Sequence, residues 1–101
     1  MNPVTQINTF SIKSDKVDEF FETDRRYVDT IGRPKGLIGS RLYRSADGRS
    51  AVRVSQFESA EALNEIRQSE SLRRQIERLR PLVESTSASV YEEAYTTGDF
   101  A

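Results

Sequence analysis

Three polar side chains stand where the pattern of the chain calls for apolar ones, Gln6, Asn8 and Asp24, and Arg53 is a fourth residue able to do chemistry. Asp24 falls on the apolar stripe of a predicted helix. A carboxylate in such a place can act as a general base with a raised pKa, or it can pair with an arginine such as Arg25 or Arg53. Arg53 shares one strand face with Ser55 and Phe57. There it can hold a phenolate or carboxylate by charge-assisted hydrogen bonds, pair with an acid such as Asp24, or lie at a dimer surface. Phe57 beside it can stack on a flat ring or simply pack in the core. Gln6 and Asn8 interrupt an apolar strand face and need hydrogen-bond partners from ligand, water or protein. Tyr27 and Tyr43 carry hydroxyls that could bond a substrate hydroxyl.

The rest of the composition narrows what such a set can do. The chain of 101 residues has no histidine, no cysteine and no tryptophan. Disulfides, thiolate chemistry, cysteine metal sites and the usual neutral-pH base, zinc ligand and proximal haem ligand are therefore absent. Catalysis would rest on Asp, Glu, Lys, Tyr, Ser, Thr, Asn or Arg, or on the substrate itself. With 15 Lys+Arg against 16 Asp+Glu, nothing points to nucleic acid or an anionic membrane. No run is long and apolar enough to span a bilayer, and the first residues lack the basic start and apolar stretch of a signal peptide. A cytoplasmic protein is the expectation. Hydrophobic residues make up only 36% of the chain, a shortage that a core shared between subunits would ease.

The elements that must position these residues follow from periodicity. Residues 4–12 alternate and are rich in Val, Ile, Thr and Phe, which predicts a strand. Ser14 looks like a helix N-cap, and Val17, Phe20, Phe21, Tyr27, Val28 and Ile31 follow at helical spacing. Gly32 and Pro34 end that helix. Strands at 36–44 and 51–57 flank Asp47-Gly48, a hairpin signal. Ser59 caps a second helix whose apolar residues form two sets. Leu63 and Ile66 point one way, while Leu72, Ile76, Leu79 and Val83 point another. One straight helix cannot bury both sets, so a break is expected near Ser69–Ser71. Were that helix straight, Arg67, Arg74 and Arg78 would align, as a solvated face or an anion site. Residues 86–95 form the last strand, with Tyr91, Glu93 and Tyr95 on one face, and 96–101 a polar tail. The order β-α-β-β-α-β predicts an α+β, ferredoxin-like sandwich with an antiparallel sheet, in one domain over residues 1–101. Helices cover one sheet face only. The other face is expected to meet a second copy, giving a sheet-on-sheet homodimer.

Gly36 to Phe57, GLIGSRLYRSADGRSAVRVSQF, with ESAEAL at 58–63 after it, resembles the antibiotic biosynthesis monooxygenase domain. QINTF at 6–10 and the closing PLVES…YEE fit the same family, so the resemblance spans roughly residues 4–93. It implies a dimeric α+β barrel. It also implies a protein that oxidises an anthrone- or quinol-like polyphenol with molecular oxygen and neither metal nor flavin. The polyphenol oxidisers carry Asn, Trp and Tyr at the positions of Arg53, Phe57 and Leu63, so the resemblance places Leu63 at the same pocket. Haem-degrading members use a first-strand Asn, which Asn8 matches, with a Trp replaced here by Phe57 and a His that is missing. This argues against haem degradation. The expected function is therefore that of a cofactor-independent monooxygenase-like protein. It would bind a small aromatic metabolite between helices and sheet, with Asp24, Asn8 and Arg53 as catalytic candidates. Phe57, Tyr27, Gln6, Tyr43 and Leu63 would line the site. The alternative is a non-catalytic ligand-binding or structural homodimer of the same fold.

Overall fold

The structure is a computed structural model that describes residues 2–100. Strand β1 (Val4–Ile12) leads into helix α1 (Val17–Ile31), then the hairpin of β2 (Leu37–Arg44) and β3 (Ser50–Phe57). Two helices follow, α2 (Ala60–Arg67) and α3 (Glu70–Leu79), then a 3-10 turn at Arg80–Leu82 and strand β4 (Val83–Tyr91). The four strands form one antiparallel sheet in the order β2-β3-β1-β4, the ferredoxin-like α+β arrangement expected from the order of elements.

Local chemistry explains most boundaries. The second helical region breaks at Gln68, and Ser69 caps α3 by accepting a hydrogen bond from Leu72 N–H at 3.3 Å. The Ser69 hydroxyl also donates to Ile66 O at 2.7 Å, so one residue closes α2 and opens α3. The β2–β3 hairpin turns on Gly48, whose φ of 76° is the left-handed conformation that glycine tolerates. Gly36, at φ 92°, leads into β2, and a Cβ there would sit 2.7 Å from Ala62 Cβ on α2.

Three expectations are corrected. Helix α1 starts later than Ser14 predicts: Lys16 occupies the N-cap with no side-chain cap, after a turn closed by Lys16 N–H donating to Lys13 O at 2.9 Å. The last strand runs Val83–Tyr91, not 86–95, because Lys13 N–H anchors Leu82 O at 3.0 Å and delivers Val83 directly opposite Ile12. Tyr95 therefore lies beyond the strand and is 84% exposed. Ile76 does not belong to the buried stripe of α3 and is 48% exposed, whereas Gln75 is buried in its stead.

The main core gathers at one end of the sheet. Ile12, Phe20, Ala51, Leu79 and Leu82 are buried together, with Phe10, Val17, Phe21, Leu42 and Val83 packed around them. The Phe10 and Phe20 rings lie 5.2 Å apart, a favourable aromatic separation. Phe57 and Leu63 are equally buried but lie outside this cluster. Helix α1 packs on α3, and α2 packs on β3. Strand β4 is exposed from Glu84 to Tyr91 on both of its faces.

Candidate functional site

The sheet register assembles the polar residues into a band. Asn8 of β1 stands directly opposite Arg53 of β3 and Ala88 of β4, and Arg53 stands opposite Leu42 of β2. One rung along, Gln6 stands opposite Ser55 and Val90, and Ser55 opposite Ser40. Residues directly opposite in antiparallel strands point to the same face, so both rungs face the helices. The band separates the main core from the buried pair Phe57 and Leu63 at the far end.

Its members satisfy one another only in part. Ser40 and Ser55 share a hydrogen bond of 2.9 Å between their hydroxyls. Asp24, turned from α1 towards the sheet, accepts a short hydrogen bond from Arg53 Nη2 through Oδ2 and forms an ion pair with it. The Asp24 side chain is 9% exposed and that of Arg53 20%. Burying both charges is tolerable because each supplies the other's counter-charge. Gln6 and Asn8 are half-buried. Beside them the helix-side face of β4, carrying Ala88 and Val90, is uncovered, and Val90 is 47% exposed. The polar band thus runs from a buried ion pair to an open ledge.

Other predicted residues go elsewhere. Tyr27 lines two cavities of about 390 and 240 Å³ bordered by the helices. Tyr43 stands opposite Val52 on the outer face of the sheet, 48% exposed, because the period of two turns it away from Leu42 and Arg53. The structure therefore brings Asp24, Arg53, Asn8 and Gln6 together, ends their face with Phe57 and Leu63, and leaves Tyr43 apart. Among the described residues, no three or more His, Cys, Asp or Glu side chains are grouped to hold a metal.

Sequence reasoning missed Gln75. It is 3% exposed, and its Nε2 donates to Thr23 O at 3.5 Å. The signal was present: Gln75 lies three residues after Leu72 and four before Leu79, on the buried stripe. The Ser40–Ser55 bond was also unseen, since it depends on the bulge between Leu37 and Gly39 that sets the β2–β3 register.

Comparison with solved structures supports the fold. SnoaB from Streptomyces nogalater, a cofactor-independent oxygenase, is 20% identical, with 95% of this chain and 97% of that chain covered and a TM-score of 0.84. Rv0793 from Mycobacterium tuberculosis is 21% identical over 96% and 100% of the two chains, with a TM-score of 0.83. A putative antibiotic biosynthesis monooxygenase from Nitrosomonas europaea is 18% identical over 91% and 99%, with a TM-score of 0.81. No curated protein matches the sequence. At these identities the likeness is one of fold. The sequence itself carries the assignment: the antibiotic biosynthesis monooxygenase pattern matches residues 3–78, and the chain belongs to that family.

Proposed function

We propose that the protein binds a small aromatic metabolite of the polyphenol or quinol type on the polar band and oxidises it with molecular oxygen, using neither metal nor flavin. The observation that carries this reading is the rung Arg53–Asn8–Ala88, which joins an Asp24-backed guanidinium to the uncovered ledge of β4. A flat ring resting on Ala88 and Val90 brings a phenolic oxygen to Asn8 and Arg53. Charge that develops on that oxygen meets donors already held in place. Asp24 fixes the guanidinium and is the carboxylate within the band that could take the proton that must leave. For an anthrone the balance is simple: the ring CH2 and O2 give C=O and water. Family membership and the fold shared with SnoaB, a cofactor-independent oxygenase, support the same reading.

A second reading has its own support. The charge of Arg53 is already matched by Asp24, as in a site that holds a ligand without reacting with it. The protein is then a non-catalytic ligand-binding or structural homodimer. Oxygen uptake separates the two. Uptake with an anthrone or a simple quinol, lost in a folded Asn8→Ala and lowered in a folded Arg53→Lys, supports the oxygenase. A folded protein that consumes no oxygen across a broad panel of both classes supports the second reading.

The partner we propose is a second copy, packed sheet against sheet. The outer face carries Ile7, Val52 and Val54 at its centre and the half-exposed Tyr43 and Tyr91 towards its edges. The helices leave this apolar surface uncovered, and a twin sheet would bury it. Among the described residues, no helix is long and apolar enough to cross a membrane.

A further inference from the structure

A second polar site lies on the other side of α1, between α1 and α3. The cavity of about 390 Å³ there is lined by Arg26, Arg74 and Arg78, together with Tyr27, Ser71 and Gln75, and among the described residues by no carboxylate. Arg26 and Arg74 reach back along their own helices to Glu22 at 3.2 Å and Glu70 at 2.8 Å. Those pairs are exposed and of the weak helix-surface kind, so an anion in the cavity can recruit both guanidinium groups. Arg78 has no ion pair among the described residues. Beneath the arginines lies Gln75, whose Oε1 is buried and has no hydrogen-bond partner among the described residues. Its amide nitrogen points at Thr23 O, so the side chain is oriented with its acceptor unmet. A buried acceptor left unpaired is costly, and because Gln75 lines the cavity, a turn of its amide would bring that acceptor to a donor bound there.

We propose that this cavity binds a small hydroxylated aromatic acid. The carboxylate is held by Arg26, Arg74 and Arg78, the ring lies against Tyr27, and the hydroxyl donates to Gln75 Oε1. Guanidinium forks suit a carboxylate in geometry and charge, and the volume suits a single ring with its substituents. The site is separate from the polar band, because Asp24 turns to the sheet while its neighbours Thr23, Arg26 and Tyr27 turn to α3. It stands whether or not the oxygenase reading does.

Titration calorimetry on the intact protein with 4-hydroxybenzoate, benzoate and inorganic phosphate tests the proposal, with the side-chain amide of Gln75 followed by NMR. The expected result is saturable 4-hydroxybenzoate binding that moves the Gln75 amide signal. Benzoate, lacking the donor, should bind about tenfold more weakly, and phosphate more weakly still. Arg78→Ala, at an exposed position, should weaken 4-hydroxybenzoate binding about tenfold. Gln75→Leu, checked for folding by circular dichroism, should bring 4-hydroxybenzoate down to the affinity of benzoate. Absence of saturable binding, an unmoved Gln75 amide, or unchanged affinity in Arg78→Ala overturns the site. Phosphate binding as tightly as 4-hydroxybenzoate overturns the aromatic-acid assignment.

Discussion

Asp24 of α1 reaches across to Arg53 of β3 and ties the first helix to the centre of the sheet through a buried ion pair. The two residues are 29 positions apart in sequence, and the pair sits in the band that divides the main core from Phe57 and Leu63. A buried pair adds little net stability compared with an apolar match, but breaking it strands a charge. Asp24→Ala and Arg53→Ala are each expected to destabilise the fold by about 3–5 kcal/mol. The double change Asp24→Leu with Arg53→Met should cost far less than the two single losses together. Urea denaturation of Asp24→Leu, Arg53→Met and the double variant measures this, and strictly additive losses would mean that the pair is not coupled.

On the proposed reading the same pair also holds the ligand. Arg53→Lys keeps the charge and loses the fork that can serve Asp24 and a ligand oxygen at once. It should therefore remain folded and bind a quinol more weakly than the native protein. Tyrosine fluorescence quenching by the quinol reads the affinity; equal affinity would place Arg53 outside the site.

Ser69 carries the division between α2 and α3, accepting from Leu72 N–H and donating to Ile66 O. Ser69→Ala should cost about 1 kcal/mol, the usual worth of an N-cap, and Ser69→Gly only a few tenths. Thermal denaturation of both variants gives the ranking. Equal losses would mean that the cap bond is idle and the break is held by packing alone.

Much of this arrangement was legible in the sequence. Period-two and period-3.6 patterns placed all four strands and the helices. The two apolar sets, Leu63 and Ile66 against Leu72, Ile76, Leu79 and Val83, point to the helix break that Ser69 makes, although Ile76 is exposed and Val83 opens β4 instead of continuing the helix. Asp24 is conspicuous because a carboxylate on an apolar stripe must find a partner, and Arg53 is one that the sequence offers. The register was not legible. Whether Asn8 meets Arg53 or Ser55 depends on pairing between strands far apart in the chain, and no local signal fixes it. The start of α1 and of β4 escaped for a related reason. Backbone hydrogen bonds of Lys13, to Leu82 on one side and from Lys16 on the other, override the apparent cap at Ser14 and the apparent strand start at 86.

Gly36 is required twice over, by its φ of 92° and by the 2.7 Å that a Cβ would leave to Ala62 Cβ. Gly36→Ala should destabilise by about 1–3 kcal/mol. Adding Ala62→Gly removes the clash and leaves the backbone strain, so it should recover part of the loss. Chemical denaturation of the single and double variants checks this; full recovery would assign the whole effect to the clash.

Asp47 makes the hairpin pH-sensitive. Its carboxylate accepts from the Ser45 hydroxyl at 2.6 Å and from Arg49 N–H at 2.9 Å, and the Ser45 bond foremost holds its pKa below the ordinary 3.8. A depressed folded-state pKa stabilises the turn above the unfolded value, and that stabilisation is lost as pH falls through the folded one. The Asp47 carboxyl resonance should titrate below 3.8 and move up towards that value in Ser45→Ala. A titration that is the same in both proteins would remove Ser45 as the cause.

The outer face of the sheet predicts the assembly. Ile7 and Val54 stand opposite each other at its centre, with Arg41 on the far side of Val54 and Ser89 on the far side of Ile7. An apolar centre with a polar border is what two like faces need to pack and stay in register. Light scattering at micromolar concentration should give twice the chain mass of 11.5 kDa. Val54→Lys places a charge at the centre of that contact and should shift the protein towards single chains while leaving the helix-side core untouched. The polar band and its ledge lie on the opposite face, so ligand binding there should survive the change unless the partner completes the ledge. A native protein that scatters as a clean 11.5 kDa particle would overturn the sheet-on-sheet dimer.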